Sequence, residues 1–294
     1  MERQSACNSE ASLGVEARLA RNACSIKELV EHARKLRAQV VRMVARLGIG
    51  YLQQGLGAAD IFTALYLGEL QLRENDPSWP DRDRLVLSTA HNTAVFYAAM
   101  AARGLIPPSA LEEYTTDGSA FEVNASERVG PMVEATCGSL GQGLSVAVGM
   151  ALSLRRHERP ARIYVILGDG ELQEGQVWEA AMSAAGHRLS NLCLIIDRNF
   201  MQVEGHTDKV MSMEPLAAKW TAFGWSVLDI DGNSMAELVE SLHHARQTDD
   251  RPTCVIAKTV PGKGVPFLEH RMSHIAAISR AEANQALQIL GAPA

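Results

Sequence analysis

The sequence predicts an α/β fold: a single doubly wound parallel sheet with helices on both faces. Three observations predict it. From residue 163 onward, short apolar runs alternate with segments of helical period, at spacings that suit βαβ crossovers. A parallel sheet built this way needs cover on each side, so helices are expected on both faces. No internal repeat or low-complexity tract divides the 294 residues, which favours one domain.

Residues 1–24 carry no clear pattern and are expected to form a poorly ordered N-terminal extension, leaving 25–294 as the folded domain. Leu29, Ala33, Leu36, Val40, Met43 and Leu47 recur at helical spacing and predict a helix over Ile26–Leu47. Gly48–Gly57, rich in Gly and Gln, reads as a loop, and a second helix is expected from Ala58 to about Leu67. Asp76-Pro-Ser-Trp-Pro-Asp81 is turn-rich. Arg84–Ser88 is a short apolar run ending before His91, Ala94–Ala102 is helical in pattern, and Pro107–Pro131 is an irregular polar connector. Leu144–Leu154 then reads as an almost wholly apolar helix. Beyond it come strand Ile163–Leu167, helix Gln176–His187, strand Leu192–Ile196, a connector holding Glu214–Ala222, strand Val227–Ile230, helix Met235–Arg246 and strand Thr253–Ala257. Ala281–Leu290 is expected to pack as a last helix.

Composition narrows the function. Apolar residues make up 47% and charged residues 21%, an ordinary globular balance. The net charge of −6 is spread along the chain with no long basic run, which speaks against nucleic acid or an anionic membrane as partner. Cys7, Cys24, Cys137, Cys193 and Cys254 form no CxxC pair, so neither a disulfide framework nor a zinc cluster is expected. Met1–Glu16 is polar without an apolar centre, and no stretch reaches membrane-spanning length; a cytoplasmic location is expected.

The residues that carry chemistry stand at strand ends. Gly168-Asp169-Gly170 closes one strand and Asp197-Arg198-Asn199 closes the next. In a parallel sheet, ligands bind beyond the carboxyl ends of the strands, so Asp169 and Asn199 are expected side by side there. Two hard oxygen donors at that rim suit Mg²⁺ or Ca²⁺, with ligand phosphates completing the coordination. Gly170 leaves room for a phosphate to approach backbone N–H groups. A helix-capping aspartate would explain a lone Gly-Asp-Gly; the asparagine at the next strand end favours the metal–diphosphate reading.

These words resemble the N-terminal, thiamine diphosphate-binding part of transketolases. Gly168-Asp169-Gly170 followed by Asn199 matches the thiamine diphosphate fingerprint, and Thr136–Ala151, Leu167–Ala181, Trp220–Trp225 and Lys258–Gly264 resemble four ordered blocks of that family. The resemblance implies that Asp169, Asn199 and the backbone carbonyl of Met201 are the metal ligands. It places Gly170 at the diphosphate, Gly168 and Glu171 among the cofactor-binding residues, and the backbone of Gly138 and Leu140 at the aminopyrimidine. His91, in Ser88-Thr-Ala-His91, matches a histidine that contacts cofactor phosphate near the reacting centre. Glu174 matches a glutamate in the network joining two active sites, although an acid at a helix N-terminus explains it as well. His274 aligns, across a one-residue gap, with a late histidine near diphosphate and substrate.

Two departures alter what the resemblance implies. Gly50-Tyr51-Leu52-Gln53 stands where the family has Gly-His-Pro-Gly, and Val123-Asn124-Ala125 where it has Gly-His-Pro. Those histidines contact donor-sugar hydroxyls, so a non-standard donor or acceptor is expected, with drift in tolerant loops as the alternative. The family's pyrimidine-binding domain, which carries the glutamate that activates the cofactor, is absent from the sequence. The expectation is therefore a partner subunit that supplies it, a 2+2 heterotetramer, and no activity from this chain alone. The expected reaction is transfer of a two-carbon ketol unit from a ketose-type donor to an aldehyde acceptor. A thiamine diphosphate-dependent 2-oxo acid decarboxylase or acyloin-forming subunit, and a non-catalytic cofactor-binding subunit, remain open beside it.

Overall fold

Five parallel strands form the central sheet, lying side by side in the order Arg84–Leu87, Ile163–Gly168, Leu192–Arg198, Thr253–Lys258 and Ser226–Asp231. The computed structural model describes residues 24–269 and 278–293; His274 and residues 1–23 of the expected extension lie outside the described residues. The strands are β1 (Arg84–Leu87), β2 (Ile163–Gly168), β3 (Leu192–Arg198), β6 (Ser226–Asp231) and β7 (Thr253–Lys258). A small antiparallel pair, β4 (Met201–Gln202) and β5 (Gly205–His206), follows β3 directly.

Alternation along the strands creates two cores. Tyr164 and Ile166 of β2 face one way, packing with α1 (Ile26–Leu47), α2 (Leu52–Thr63), α3 (Thr93–Ala102), α8 (Met235–Gln247) and α9 (Arg280–Ile289). Ile163, Val165 and Leu167 face the other way, toward α4 (Gly143–Arg156), α5 (Gly175–Gly186) and α7 (Leu216–Ala222). The short α6 (Thr207–Val210) follows β5. Every residue of the central β3 is buried, as a strand covered on both faces requires.

Local signals set the helix ends. Ser25 and Glu28 form a reciprocal capping box at the start of α1, and Gly48 ends it in the left-handed conformation, φ 67°. Leu47, read as part of the inward stripe, is instead exposed at that end. The expected loop over Gly48–Gly57 is shorter than its composition suggests, because α2 already begins at Leu52. Its glycines serve close packing. A Cβ at Gly57 would meet the Val260 carbonyl oxygen at 2.9 Å, and one at Gly55 would meet Val40 Cγ1 at 3.0 Å. All twelve residues of α2 are buried, and each Leu-sized side chain so placed contributes about 1.5–3 kcal/mol. Beyond Thr63 the helix widens over Ala64–Glu69, ending with Leu70 N–H donating to the Leu65 carbonyl, 2.8 Å.

The winding positions the site. After β1 the chain turns toward α3 on one face, and after β2 toward α5 on the other. Loops that leave neighbouring strands in opposite directions open a crevice at the carboxyl edge of the sheet. Among the described residues no helix is long and apolar enough to cross a membrane.

Candidate functional site

The crevice holds most of the residues that sequence reasoning singled out. His91, Leu140, Gly168, Asp169, Gly170, Glu171, Glu174, Asn199 and Met201 line one cleft of about 200 Å³, together with Gln54 and Thr89. Gly138 is exposed, two residues before Leu140, and does not line it. His274 lies outside the described residues.

Strand register brings the two polar ends together. Gly168 pairs with Asp197, so Asp169 stands one residue past β2 and Asn199 one residue past β3. Asp169 is 1% exposed. Its Oδ2 accepts from Phe200 N–H (2.8 Å) and the Thr207 hydroxyl (3.3 Å), while Oδ1 accepts from Gly170 N–H (3.0 Å). Burial, with the neighbouring Asp197 carboxylate adding to it, pushes the Asp169 acid up to about 7. Burial likewise raises Asp197, which accepts from Asn92 Nδ2 (2.9 Å), the Thr259 hydroxyl (2.5 Å) and Asn199 Nδ2 (3.4 Å). Asn199 Oδ1 accepts from Met201 N–H at 2.9 Å.

Two buried carboxylates at one rim leave negative charge that the surrounding N–H and O–H donors only partly answer. A divalent cation answers it directly. Among the described residues no group of three His, Cys, Asp or Glu side chains is poised for a metal. The available set is one carboxylate, one amide oxygen and one backbone carbonyl, all hard donors, which suits a cation that keeps waters and ligand phosphates. The turn itself is tightly packed. A Cβ at Gly170 would meet Gln202 Cβ at 2.7 Å and the Met201 carbonyl oxygen at 3.3 Å, so only glycine lets the turn lie against β4.

Glu171 plays a part its sequence position did not reveal. It is 2% exposed, and its carboxylate accepts from the Ser88 hydroxyl, Gly141 N–H (2.9 Å) and Gly168 N–H (3.1 Å). Burial raises its pKa, against the pull of those three donors. The carboxylate therefore fastens the loop carrying Leu140 to the ends of β1 and β2. Ser88 Oγ also accepts from Gly143 N–H at 3.1 Å, closing the network onto α4. Glu174 is exposed at the N-cap of α5, where the helix dipole favours an acid, and makes no side-chain hydrogen bond to the cap. It packs on Gly141, where a Cβ would meet Glu174 Cβ at 2.8 Å.

His91 sits in the short turn between β1 and α3. Tyr51 meets its ring edge-on, with centroids 4.7 Å apart. Asn124 does not line the cleft. The chain beside it is fixed where Ala125 N–H donates to Thr93 Oγ1 (3.1 Å), and Asn124 Oδ1 is buried. Asn92, Thr259 and Ser88 are the supporting residues that sequence reasoning missed. Only their places, next to His91 and just past strands β7 and β1, could have flagged them.

Comparison with known proteins agrees with this geometry. Residues 27–294 match the family model described as transketolase, thiamine diphosphate binding domain. The 6-deoxy-6-sulfo-D-fructose transketolase subunit SqwG of Clostridium sp. (strain MSTE9) is 38% identical over 246 residues, covering 84% of this chain and 90% of that relative. An apulose-4-phosphate transketolase subunit of Phocaeicola vulgatus is 34% identical over 244 residues, covering 83% of this chain and 86% of that relative. Among solved structures, the transketolase of Campylobacter jejuni superposes with a TM-score of 0.85 at 30% identity, over 92% of this chain but 44% of that one. The match runs over nearly the whole folded chain, so this chain belongs to the transketolase family, through its thiamine diphosphate-binding domain.

Proposed function

We propose that this chain is the diphosphate-binding subunit of a two-chain transketolase, moving a two-carbon ketol unit from a ketose-type donor to an aldehyde acceptor. The observation that carries this reading is the single cleft joining Asp169, Asn199 and Met201 to His91 and Leu140. The two relatives named as subunits support a split enzyme, since the chain spans most of their length yet under half of the Campylobacter transketolase. Their names also carry unusual sugars, 6-deoxy-6-sulfo-D-fructose and apulose 4-phosphate. With Tyr51 and Asn124 in place of histidines, a non-standard donor or acceptor suits this chain as well.

Thiamine diphosphate, when bound, supplies the electron sink for cleaving and forming a carbon–carbon bond. This chain's residues hold and orient it. Asp169, Asn199 Oδ1 and the Met201 carbonyl would hold Mg²⁺ and through it the diphosphate, and Gly170 would offer its backbone N–H side of the turn to the phosphates. His91 at the cleft wall donates a hydrogen bond to phosphate or to alkoxide charge developing on the substrate. The Glu171 network keeps the Leu140 backbone in place for the aminopyrimidine. A pyrimidine-domain partner completes the cleft, in a 2+2 cytoplasmic assembly.

Calorimetric titration of thiamine diphosphate with Mg²⁺, into this chain alone and mixed with a pyrimidine-domain protein encoded beside it, tests the proposal. Metal-dependent binding in the mixture is expected, with turnover of a ketose donor and no CO₂ release. Absence of binding in both samples would overturn it.

A further inference from the structure

Phe200 stands between the ligand residues Asn199 and Met201 with φ at +60°, a left-handed conformation that a bulky side chain rarely adopts. Among the described residues Thr115, Glu158 and Arg188 are the other non-glycine residues with a positive φ, but none of them adjoins a residue that lines the cleft, as Phe200 does. The Phe200 ring makes two close contacts. The Arg198 guanidinium lies 4.5 Å from the ring centroid on one contact, and the His206 imidazole stacks at 5.5 Å with 27° between planes on another.

Both neighbours are themselves fixed. Arg198 is 3% exposed and pairs with Glu214 (2.5 Å) and Asp208 (3.6 Å). His206 is paired with Met201 across the β4–β5 ribbon, and its Nδ1 accepts from Asp208 N–H at 3.3 Å. The left-handed turn has a direct consequence: it aims Phe200 N–H at Asp169 Oδ2, 2.8 Å away, while the Phe200 carbonyl accepts from Thr207 N–H at 3.1 Å. Were the ring released, the residue would relax toward a negative φ, and that N–H would swing off the carboxylate.

We propose that Phe200 is a positioning residue: its ring, clamped by Arg198 and His206, holds the strained turn that sets Asp169, Asn199 and Met201 in register for a divalent cation. The purpose assigned to the clamp rests on the metal reading above, whereas the clamp itself is a property of the chain without ligand. A preformed turn spares the cation the cost of ordering it, so affinity follows the ring contacts although the ring touches no metal.

Hydrogen–deuterium exchange on the full chain tests this in the variants Phe200→Leu, Phe200→Gly and Phe200→Tyr. Leucine keeps bulk but loses the flat cation contact. Glycine takes the left-handed turn without strain but also every alternative to it. Tyrosine keeps both ring contacts. Exchange of the peptide spanning 197–207 is expected to quicken at least tenfold in the leucine and glycine variants and to return to within twofold of wild type in the tyrosine variant. The β2 peptide should exchange at the wild-type rate throughout. Wild-type exchange of 197–207 in the leucine variant, or equal loosening of β2, would overturn the clamp.

Mn²⁺ with inorganic pyrophosphate, titrated into the same proteins and followed by electron paramagnetic resonance, separates the two layers. Uptake by wild type that weakens at least tenfold with leucine and recovers with tyrosine supports the full proposal. Uptake unchanged by leucine overturns the positioning role and leaves the metal reading standing. No uptake by wild type, either alone or mixed with the pyrimidine-domain partner, overturns the metal reading, whatever the exchange data show.

Discussion

The Tyr51 ring stands edge-on to the His91 imidazole, with centroids 4.7 Å apart and 78° between planes. An edge-to-face contact of this kind contributes about 0.5–1.5 kcal/mol, enough to hold His91 in a preferred orientation. Tyr51 cannot shift freely, since its carbonyl accepts from Gly55 N–H (3.2 Å) at the start of the fully buried α2. A phenol at this point offers one hydroxyl, where an imidazole would offer two ring nitrogens to a donor-sugar hydroxyl.

The consequence is a test of donor choice. Tyr51→His in the two-chain enzyme should raise kcat/KM on a pentose phosphate ketose by tenfold or more, while Tyr51→Phe should leave donor preference unchanged. Steady-state kinetics on both variants decides. A histidine variant with unmoved preference would mean that Tyr51 only packs against His91.

Asp169→Asn should separate stability from binding. The isosteric amide removes one of two buried negative charges yet keeps an oxygen for Phe200 N–H and the Thr207 hydroxyl. Without ligand, the variant should unfold at or above the wild-type temperature, by up to ~1 kcal/mol of added stability. Wild type should gain roughly 2.7 kcal/mol at a cofactor concentration one hundred times Kd. The variant should gain nothing from Mg²⁺ and thiamine diphosphate, in melts of the mixture with the partner. An undiminished gain would remove Asp169 from the metal site.

Gly170 and Gly149 give a matched pair. A methyl at Gly170 has no room beside Gln202 and the Met201 carbonyl, whereas one at Gly149, exposed on α4, meets nothing within 4 Å. Gly170→Ala should push β4 off the turn and weaken metal-dependent cofactor binding at least tenfold, about 1.4 kcal/mol. Gly149→Ala should instead stabilise the chain by roughly 0.5–1 kcal/mol without touching binding. Calorimetry and thermal melts on the two variants check both halves.

How legible these features were in the sequence depends on range. Asp169, Gly170 and Asn199 could be read because each belongs to a short word at a strand end, and parallel register does the rest. The supports of that rim could not be read. Asn92 reaches Asp197 across 105 residues and Thr259 reaches it across 62, and no local pattern marks such partners. The start of α2 was hidden for a different reason. Its glycines look like helix breakers until the close approach of Val40 and the Val260 carbonyl explains them. The strands and most helices were plain from periodicity, because a sheet buried on both faces leaves unbroken apolar runs.

The Glu171 network yields the last prediction, on the joint between stability and the site. Three donors, from Ser88, Gly141 and Gly168, converge on one buried carboxylate. Glu171→Ala leaves them without their acceptor, and a stranded buried donor costs about 1–3 kcal/mol, so a loss near 3 kcal/mol is expected in chemical denaturation. Ser88→Ala removes one donor and should cost about 1 kcal/mol. If the two side chains act as one unit, the double variant should lose less than the sum of the singles, since the serine has no acceptor left to miss. The site should feel the same cut. The loop bearing Leu140 is tied to β2 through this carboxylate, so Glu171→Gln, which keeps one acceptor oxygen, should retain more cofactor affinity than Glu171→Ala at matched folded fraction. Full additivity, with equal affinity in the two Glu171 variants, would show that the carboxylate only fills space and that the Leu140 loop is placed by α4 alone.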